Sequence, residues 1–317
     1  MNICITGALG HIGSKLIRNL SISSVDKVYL IDNFFTQRYS SLFNLPSGIN
    51  YCFYEMDILS DEIEPIIKDS SFVIHLAAIT GAESSFQYAD LIDKVNKKGV
   101  DHIAQLCAKY KRSLMFFSTT SVYGSQDDRI DENCKESDLN PQSPYAESKL
   151  YGEKFLQSLV KEKGFPFIIL RLGTIFGYSI GMRFHTAVNK FIWQASSGKD
   201  ITVWKTALNQ MRPYCGLNDC IKAINYIINN KIFDCQIYNI VTTNLTVKDI
   251  LDAIKLYIPD IKIKFVDSPI MNQLSYHVSN KKSLERGFTY CNSFNEGIKE
   301  TIEKLQNINF SIIKNNM

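Results

Sequence analysis

Tyr145 and Lys149, four residues apart in Pro144-Tyr145-Ala146-Glu147-Ser148-Lys149, could move a proton together. Their spacing puts both on one face of a helix. A phenol titrates near pH ~10 and is a poor base at neutrality. A cation at ~4 Å stabilises the phenolate by about 4 kcal/mol at an effective dielectric of ~20, enough to bring it toward working pH. Such pairs also occur on ordinary amphipathic helices, so context decides. Phe117-Ser118-Thr119-Thr120-Ser121-Val122-Tyr123-Gly124 supplies it, with hydroxyls at a strand exit where one can bond the oxygen that the tyrosine deprotonates. A polar strand exit explains one Ser or Thr less awkwardly than a run of them.

A second constellation lies at the N-terminus. Thr6-Gly7-Ala8-Leu9-Gly10-His11-Ile12-Gly13 follows an apolar strand and opens a helix. Glycines there permit a tight turn, close backbone approach to a pyrophosphate and close helix–strand packing. Free N–H groups at the helix start face the phosphates. Asp32 closes the next strand, where a carboxylate accepts hydrogen bonds from an adenosine ribose and repels a 2′-phosphate, which favours NAD over NADP. Strand, loop, helix, strand and acid occur in that order, which sets the motif apart from a merely structural turn.

Both constellations need a scaffold. Apolar, β-branched and aromatic runs recur at Ile3–Thr6, Lys27–Asp32, Tyr51–Glu55, Phe72–Leu76, Leu114–Ser118 and Phe167–Leu170. Helical spacing lies between most of them: Ile12, Leu16, Ile17 and Leu20 form one face, and Leu150, Phe155, Leu156, Leu159 and Val160 another. This alternation predicts an α/β fold, a doubly wound parallel sheet of the Rossmann type with ligands at the carboxyl ends of its strands. After Arg171 the rhythm gives way to a loop with Gly173, Gly177 and Gly181, a helix near Ala187–Ser197 and a strand at Ile201–Trp204. The expected division is an NAD-binding domain over 1–172 and a smaller, interleaved α/β substrate-binding cap over 173–317, with a return to the sheet near 236–241.

Composition bounds the partners. The 317 residues are 45% hydrophobic, ample for a core, and carry a net charge of +3 with no basic stripe, which argues against nucleic acid or an anionic membrane as partner. Eight cysteines show no CxxC pair, so no zinc site is suggested and they read as reduced thiols in a cytoplasm. No leader is expected, and no apolar run approaches the ~20 residues needed to cross a bilayer.

Together these features resemble the extended short-chain dehydrogenase/reductase family, in particular NAD-dependent nucleotide-sugar epimerases and dehydratases. The resemblance covers nearly the whole chain. It rests on Gly7, Gly10 and Gly13, Asp32-Asn33, Met56-Asp57-Ile58, His75-Leu76-Ala77-Ala78, Val95-Asn96, the hydroxyl run before Val122-Tyr123-Gly124, Tyr145 with Lys149, and Leu170-Arg171. It implies cofactor contacts from Gly7, Gly10, His11, Ile12, Gly13, Asp32, Asn33, Asp57, Ile58, Leu76, Ala77, Ala78, Asn96, Tyr145 and Lys149. Thr119 matches the family's catalytic Ser/Thr beside Tyr145 and Lys149. His75, inside an apolar strand, reads as core.

The departures bear on the reaction. Dehydratases of this group usually carry an acidic pair after the catalytic Thr; here Thr120 and Ser121 stand there, and with Thr174, Arg183, Asn189 and Arg212 they are the candidate substrate contacts. Thr174 replaces an Asn usual in relatives. Arg212-Pro213-Tyr214 resembles the element that grips a substrate diphosphate, and Asp267–Asn280 contains no second arginine. The expectation is an NAD-dependent nucleotide-sugar epimerase acting at C4 through a transient 4-keto sugar, as a homodimer. The alternatives are a 4-dehydrogenase/reductase with net redox, and, behind it, a 4,6-dehydratase or a non-catalytic NAD-binding protein.

Overall fold

A computed structural model describes residues 1–22, 25–81, 84–126, 128–267, 275–290, 294–305 and 308. The first half alternates strands and helices: β1 (Asn2–Thr6), α1 (His11–Leu16), β2 (Lys27–Asp32), β3 (Asn50–Glu55), α2 (Glu64–Asp69), β4 (Phe72–His75), α3 (Ala89–Ile92), α4 (Gly99–Tyr110), β5 (Ser113–Thr119), β6 (Arg129–Ile130), α5 (Pro144–Lys163) and β7 (Phe167–Leu172). The second half adds β8 (Thr174–Phe176), α6 (Ala187–Ser196), β9 (Ile201–Trp204), β10 (Met211–Gly216), α7 (Leu217–Asn230), β11 (Ile237–Ile240), β12 (Thr243–Thr246), α8 (Val247–Lys255), β13 (Ile263–Val266), β14 (His277–Val278), α9 (Lys281–Glu285) and α10 (Phe294–Glu303).

Seven strands form one sheet in the order β11-β7-β5-β4-β1-β2-β3, every pair parallel. Parallel strands are covered on both faces, and their side chains divide accordingly. Ile5, Leu30, Met115 and Leu170 pack with Leu16, Ile224 and Ile227 on one face. On the other, Ile31, Phe116 and Ile169 pack with Ile103, Leu156 and Leu159. The strand order reverses between β1 and β4, which opens a crevice at their carboxyl ends. The doubly wound sheet is thus as expected, with Ile237–Ile240 running beside Phe167–Leu172.

The remainder forms its own core, in which Val188, Ile192, Val203, Tyr214, Ile250, Ile254 and Ile298 pack together. A three-stranded sheet, β12-β10-β8, lies here, and the sequence reading did not anticipate it. Pro213 hides it: proline cannot donate to a ladder and argues against an inner strand. It is tolerated because β8 pairs with β10 only from Tyr214 onward, leaving Pro213 opposite Asn244 of β12 alone. The first helix is also shorter than its apolar spacing predicts. After Leu16 the chain tightens into turns in which Arg18 N–H donates to the Lys15 carbonyl at 3.3 Å and Asn19 N–H to the Leu16 carbonyl at 2.9 Å.

Among the described residues no helix is long and apolar enough to cross a membrane, and no group of three or more His, Cys, Asp or Glu could hold a metal ion.

Candidate active site

The glycine loop sits where the strand order reverses. Gly7 has φ +66°, and a Cβ there would lie 2.6 Å from the Ala77 nitrogen, so the loop and the β4 exit approach closer than any side chain allows. A Cβ on Gly13 would lie 2.5 Å from the Ala8 carbonyl oxygen. Ala77 N–H donates to Thr6 Oγ1 at 3.3 Å, which fixes Leu76, Ala77 and Ala78 against the loop. At the end of β2, one Asp32 oxygen accepts from Leu9 N–H at 3.1 Å and the other from Phe34 N–H at 3.0 Å. Burial pushes the Asp32 carboxyl up, opposed by those N–H groups and by Arg38. Asn33 Nδ2 donates to Asp57 Oδ2 at 3.4 Å, with Ile58 buried next to it.

These residues fit a dinucleotide. Arg38, Arg183 and His185 all lie close enough to His11 to disfavour a charge on it. The Nδ1 atom of buried His11 meets no partner among the described residues. Two guanidinium groups converging on a glycine loop suit a diphosphate.

The hydroxyl run and the helix meet at the neighbouring strand end. Ser143 Oγ caps α5 by accepting from Ala146 N–H at 3.2 Å, and Pro144 occupies the first turn. That start places Tyr145 beside Thr119, whose hydroxyl favours the ionised phenol. Thr119 Oγ1 also donates to Ser121 Oγ at 3.2 Å, so Tyr145, Thr119 and Ser121 form one polar cluster. Burial pushes the phenol's pKa up, while Arg183 and Thr119 pull it down. The Lys149 nitrogen lies 6.0 Å from the Tyr145 ring centroid and 5.0 Å from that of Phe116. Burial also lowers the lysine's own pKa to about 8, against the pull of Glu153, so its charge is itself disfavoured there.

Behind the pair lies a buried ionic support. Arg171 Nε and Nη2 donate to the two Glu153 oxygens at 2.9 and 2.6 Å, and Ser118 Oγ donates to Glu153 Oε1. Asn96 ties α5 to the β4 exit: its Nδ2 donates to Ser148 Oγ and the Ile79 carbonyl, each at 3.0 Å, and its Oδ1 accepts from Ile79 N–H at 2.8 Å.

Other candidates have different neighbours. Thr120 is buried and turned away from the phenol, its hydroxyl donating to the Leu172 carbonyl at 3.3 Å. Asn189 is also buried; its Oδ1 accepts from Gly177 N–H at 3.2 Å and its Nδ2 donates to the Arg183 carbonyl at 3.0 Å. Thr174 and Arg212 are partly buried on β8 and β10, with Arg212 electrostatically coupled to Tyr214. His75 is a core residue, its Nδ1 2.8 Å from Thr6 Oγ1 and its pKa lowered to about 3 by burial. Arg38 and Thr80, which hydrogen-bonds Arg183, escaped the sequence reading. Neither belongs to a spaced motif; only an arginine in the loop after Asp32 hinted at the first.

Comparison with known proteins gives a consistent set. The profile of the NAD dependent epimerase/dehydratase family matches residues 3–240. The uncharacterized UDP-glucose epimerase YtcB of Bacillus subtilis is 29% identical over 237 residues, 72% of each chain. The dTDP-D-glucose 4,6-dehydratase of Dictyostelium discoideum is 31% identical over 76% of this chain, which spans only 58% of that protein. Among solved structures, the UDP-glucuronic acid 4-epimerase of Bacillus cereus, in complex with UDP-glucuronic acid and NAD, superposes with a TM-score of 0.86 at 25% identity, covering 96% of this chain and 99% of that one.

Proposed function

The chain belongs to the NAD dependent epimerase/dehydratase family, and from that premise we propose that it is an NAD-dependent nucleotide-sugar 4-epimerase. The observation that carries this reading is the placement of Tyr145, at the capped start of α5, beside the Thr119–Ser121 hydroxyls at the sheet's ligand edge. Thr120 and Ser121 follow Thr119 where a dehydratase would place its acidic pair, so no carboxylate directly after Thr119 is available to drive loss of water. Relatives named as epimerases and a dehydratase both occur, and this difference favours the first.

NAD, when bound, takes a hydride from the sugar carbon and gives it back. The residues for holding it are the backbone of Gly7, Gly10, His11, Ile12 and Gly13, the Asp32 carboxylate, Asn33, Asp57 and Ile58 at the adenine end, Leu76, Ala77, Ala78 and Asn96 along the β4 exit, and Lys149. Tyr145 Oη removes the proton of the C4 hydroxyl and later returns it to the same oxygen. The Thr119 hydroxyl, turned from Ser121 to the phenolate when Tyr145 ionises, favours the charged form, since a hydrogen bond to that form stabilises it. Ser121 extends this network toward the sugar. Thr174, Arg183 and Arg212 face the nucleotide diphosphate and sugar. Residues 1–172 then hold the cofactor and 173–317 mainly the substrate. A cytoplasmic homodimer, with α4 and α5 packing against their copies, completes the reading.

Incubation with UDP-, GDP-, CDP- and dTDP-sugars, read by NMR, tests it. C4-inverted product without accumulation of reduced nicotinamide is expected; a 4-keto product with stoichiometric reduced cofactor would instead identify a dehydrogenase.

Two predictions follow from the binding residues. Asp32→Ala removes the ribose acceptor and the charge that repels a 2′-phosphate while leaving Arg38 beside the vacated position. A charge-assisted hydrogen bond contributes about 1.5–3 kcal/mol, so calorimetric titration should show the preference for NAD over NADP narrowed by roughly tenfold or more. An unchanged ratio would place the ribose elsewhere. For Arg212→Ala the same magnitude predicts a rise in KM of roughly tenfold to a hundredfold, with lysine a partial rescue because a point charge cannot reproduce a bidentate fork. If KM holds while Arg183→Ala raises it sharply, the diphosphate is gripped from the 177–183 loop.

A further inference from the structure

The loop leaving β8 does not simply cross to the cap; it is fastened to the first turn of α1. His11 Nε2 lies 2.8 Å from the Gly177 carbonyl oxygen, Ser179 Oγ donates to the His11 carbonyl at 2.9 Å, and Gly181 N–H donates to Ser14 Oγ at 3.0 Å. The approach is so close that a Cβ on Gly181 would lie 2.3 Å from the Leu9 carbonyl oxygen. Asn189 pins the same loop at Gly177 and at Arg183 from the other side. The fastened stretch ends at Arg183, whose guanidinium donates to Thr80 Oγ1 and lies within electrostatic reach of the Tyr145 phenol. The buried imidazole is thus one of the bonds that join the cofactor loop to the segment carrying this cation.

His11 suits this as a fixed part. Among the described residues the ring's one hydrogen-bond partner is the Gly177 carbonyl oxygen, so Nε2 carries the proton and donates. Burial, with Arg183, Arg38 and His185 facing it, keeps the ring neutral down to about pH 3. The bond is thus the same throughout the range in which an enzyme would work.

Building on the proposed function, we propose that His11 is a positioning residue: by helping to dock the 177–183 loop on α1 it keeps Arg183 within electrostatic reach of the Tyr145 phenol, so that the cofactor loop and the catalytic base are mechanically linked. His11→Phe removes the donor at similar volume and keeps the backbone N–H. His11→Gln restores an N–H able to reach the Gly177 carbonyl.

The test does not depend on knowing the substrate. With tyrosine labelled at Cζ with ¹³C, the Tyr145 resonance is identified by its loss in Tyr145→Phe and titrated with and without NAD. His11→Phe is expected to move its midpoint upward, because the cation is no longer kept within reach of the phenol, and His11→Gln to return it toward the parent value. Arg183→Met should shift the midpoint in the same direction, and adding His11→Phe to it should shift it no further. On any substrate identified in the sugar panel, His11→Phe should lose kcat by roughly tenfold to a hundredfold, as misplacement of a catalytic group does, with its acid limb displaced to higher pH. An unmoved Tyr145 midpoint in His11→Phe, or one that glutamine does not restore, overturns the proposal even if activity falls. Should His11→Phe fail to fold, Ser179→Ala removes one of the same fastenings, and an unshifted midpoint there overturns it equally. Failure of the whole sugar panel with the expected midpoint shifts would count against the proposed reaction and leave the positioning role standing.

Discussion

Tyr145→Phe is expected to cut turnover by roughly a hundredfold to ten-thousandfold, the range that a positioned proton acceptor supplies. The lost atom is the one that receives the sugar proton, and neither buried histidine in the sheet region can deputise. His75 is engaged with Thr6 and His11 with Gly177, and burial lowers the pKa of each to about 3. The fold should be nearly untouched. Phenylalanine keeps the ring, and a neutral hydroxyl's hydrogen bond contributes only about 0.5–1.5 kcal/mol. NAD affinity by calorimetry and the melting temperature should therefore stay near the parent values while product formation collapses. Turnover within tenfold of the parent would remove Tyr145 from the reaction. Because burial raises the phenol's pKa when no ligand is present, kcat/KM should climb with pH above neutrality.

How much of this was legible follows from what each feature depends on. The glycine loop, Asp32, the hydroxyl run and the Tyr145–Lys149 pair are local. Each is defined by spacing within one strand-to-helix junction, so sequence order implies spatial order. The parallel sheet was legible for the same reason, because strands buried on both faces stand out as continuous apolar runs such as Phe167–Leu170. What spacing could not reveal is that a second cation acts on the phenol. Lys149 shares a helix with Tyr145 and its nitrogen lies 6.0 Å from that ring's centroid, whereas Arg183, which also favours the phenolate, arrives from a loop tens of residues later. Arg38, Thr80 and the three-stranded sheet share this character: each depends on long-range packing. Thr120 shows the limit within a motif, since the chain leaves the strand after Thr119 and tightens into a 3-10 turn in which the Thr120 hydroxyl bonds the Leu172 carbonyl.

Lys149→Met should destroy activity and stabilise the cofactor-free protein at neutral pH. Burial lowers the lysine's pKa from 10.5 to about 8, so between those values the unfolded chain binds a proton that the folded chain releases. Stability contributed by this group therefore rises as pH climbs through that window, and the full penalty of its charge is present below the lower value. A difference of 10.5 − 8 = 2.5 units, at about 1.36 kcal/mol each, is about 3 kcal/mol. Methionine fills the space against Phe116 with an unbranched apolar chain and carries no such penalty. Glu153 is not left unpaired by the change, because Arg171 retains both of its hydrogen bonds to it. Urea unfolding at pH ~7 should thus show the variant more stable than the parent by up to that amount, and the gap should close as the titration is repeated toward pH ~10. A buried cation kept at a cost in stability is the signature of a site built for function, and a variant no more stable than the parent at neutrality would mean that solvent or a neighbouring group already satisfies the charge.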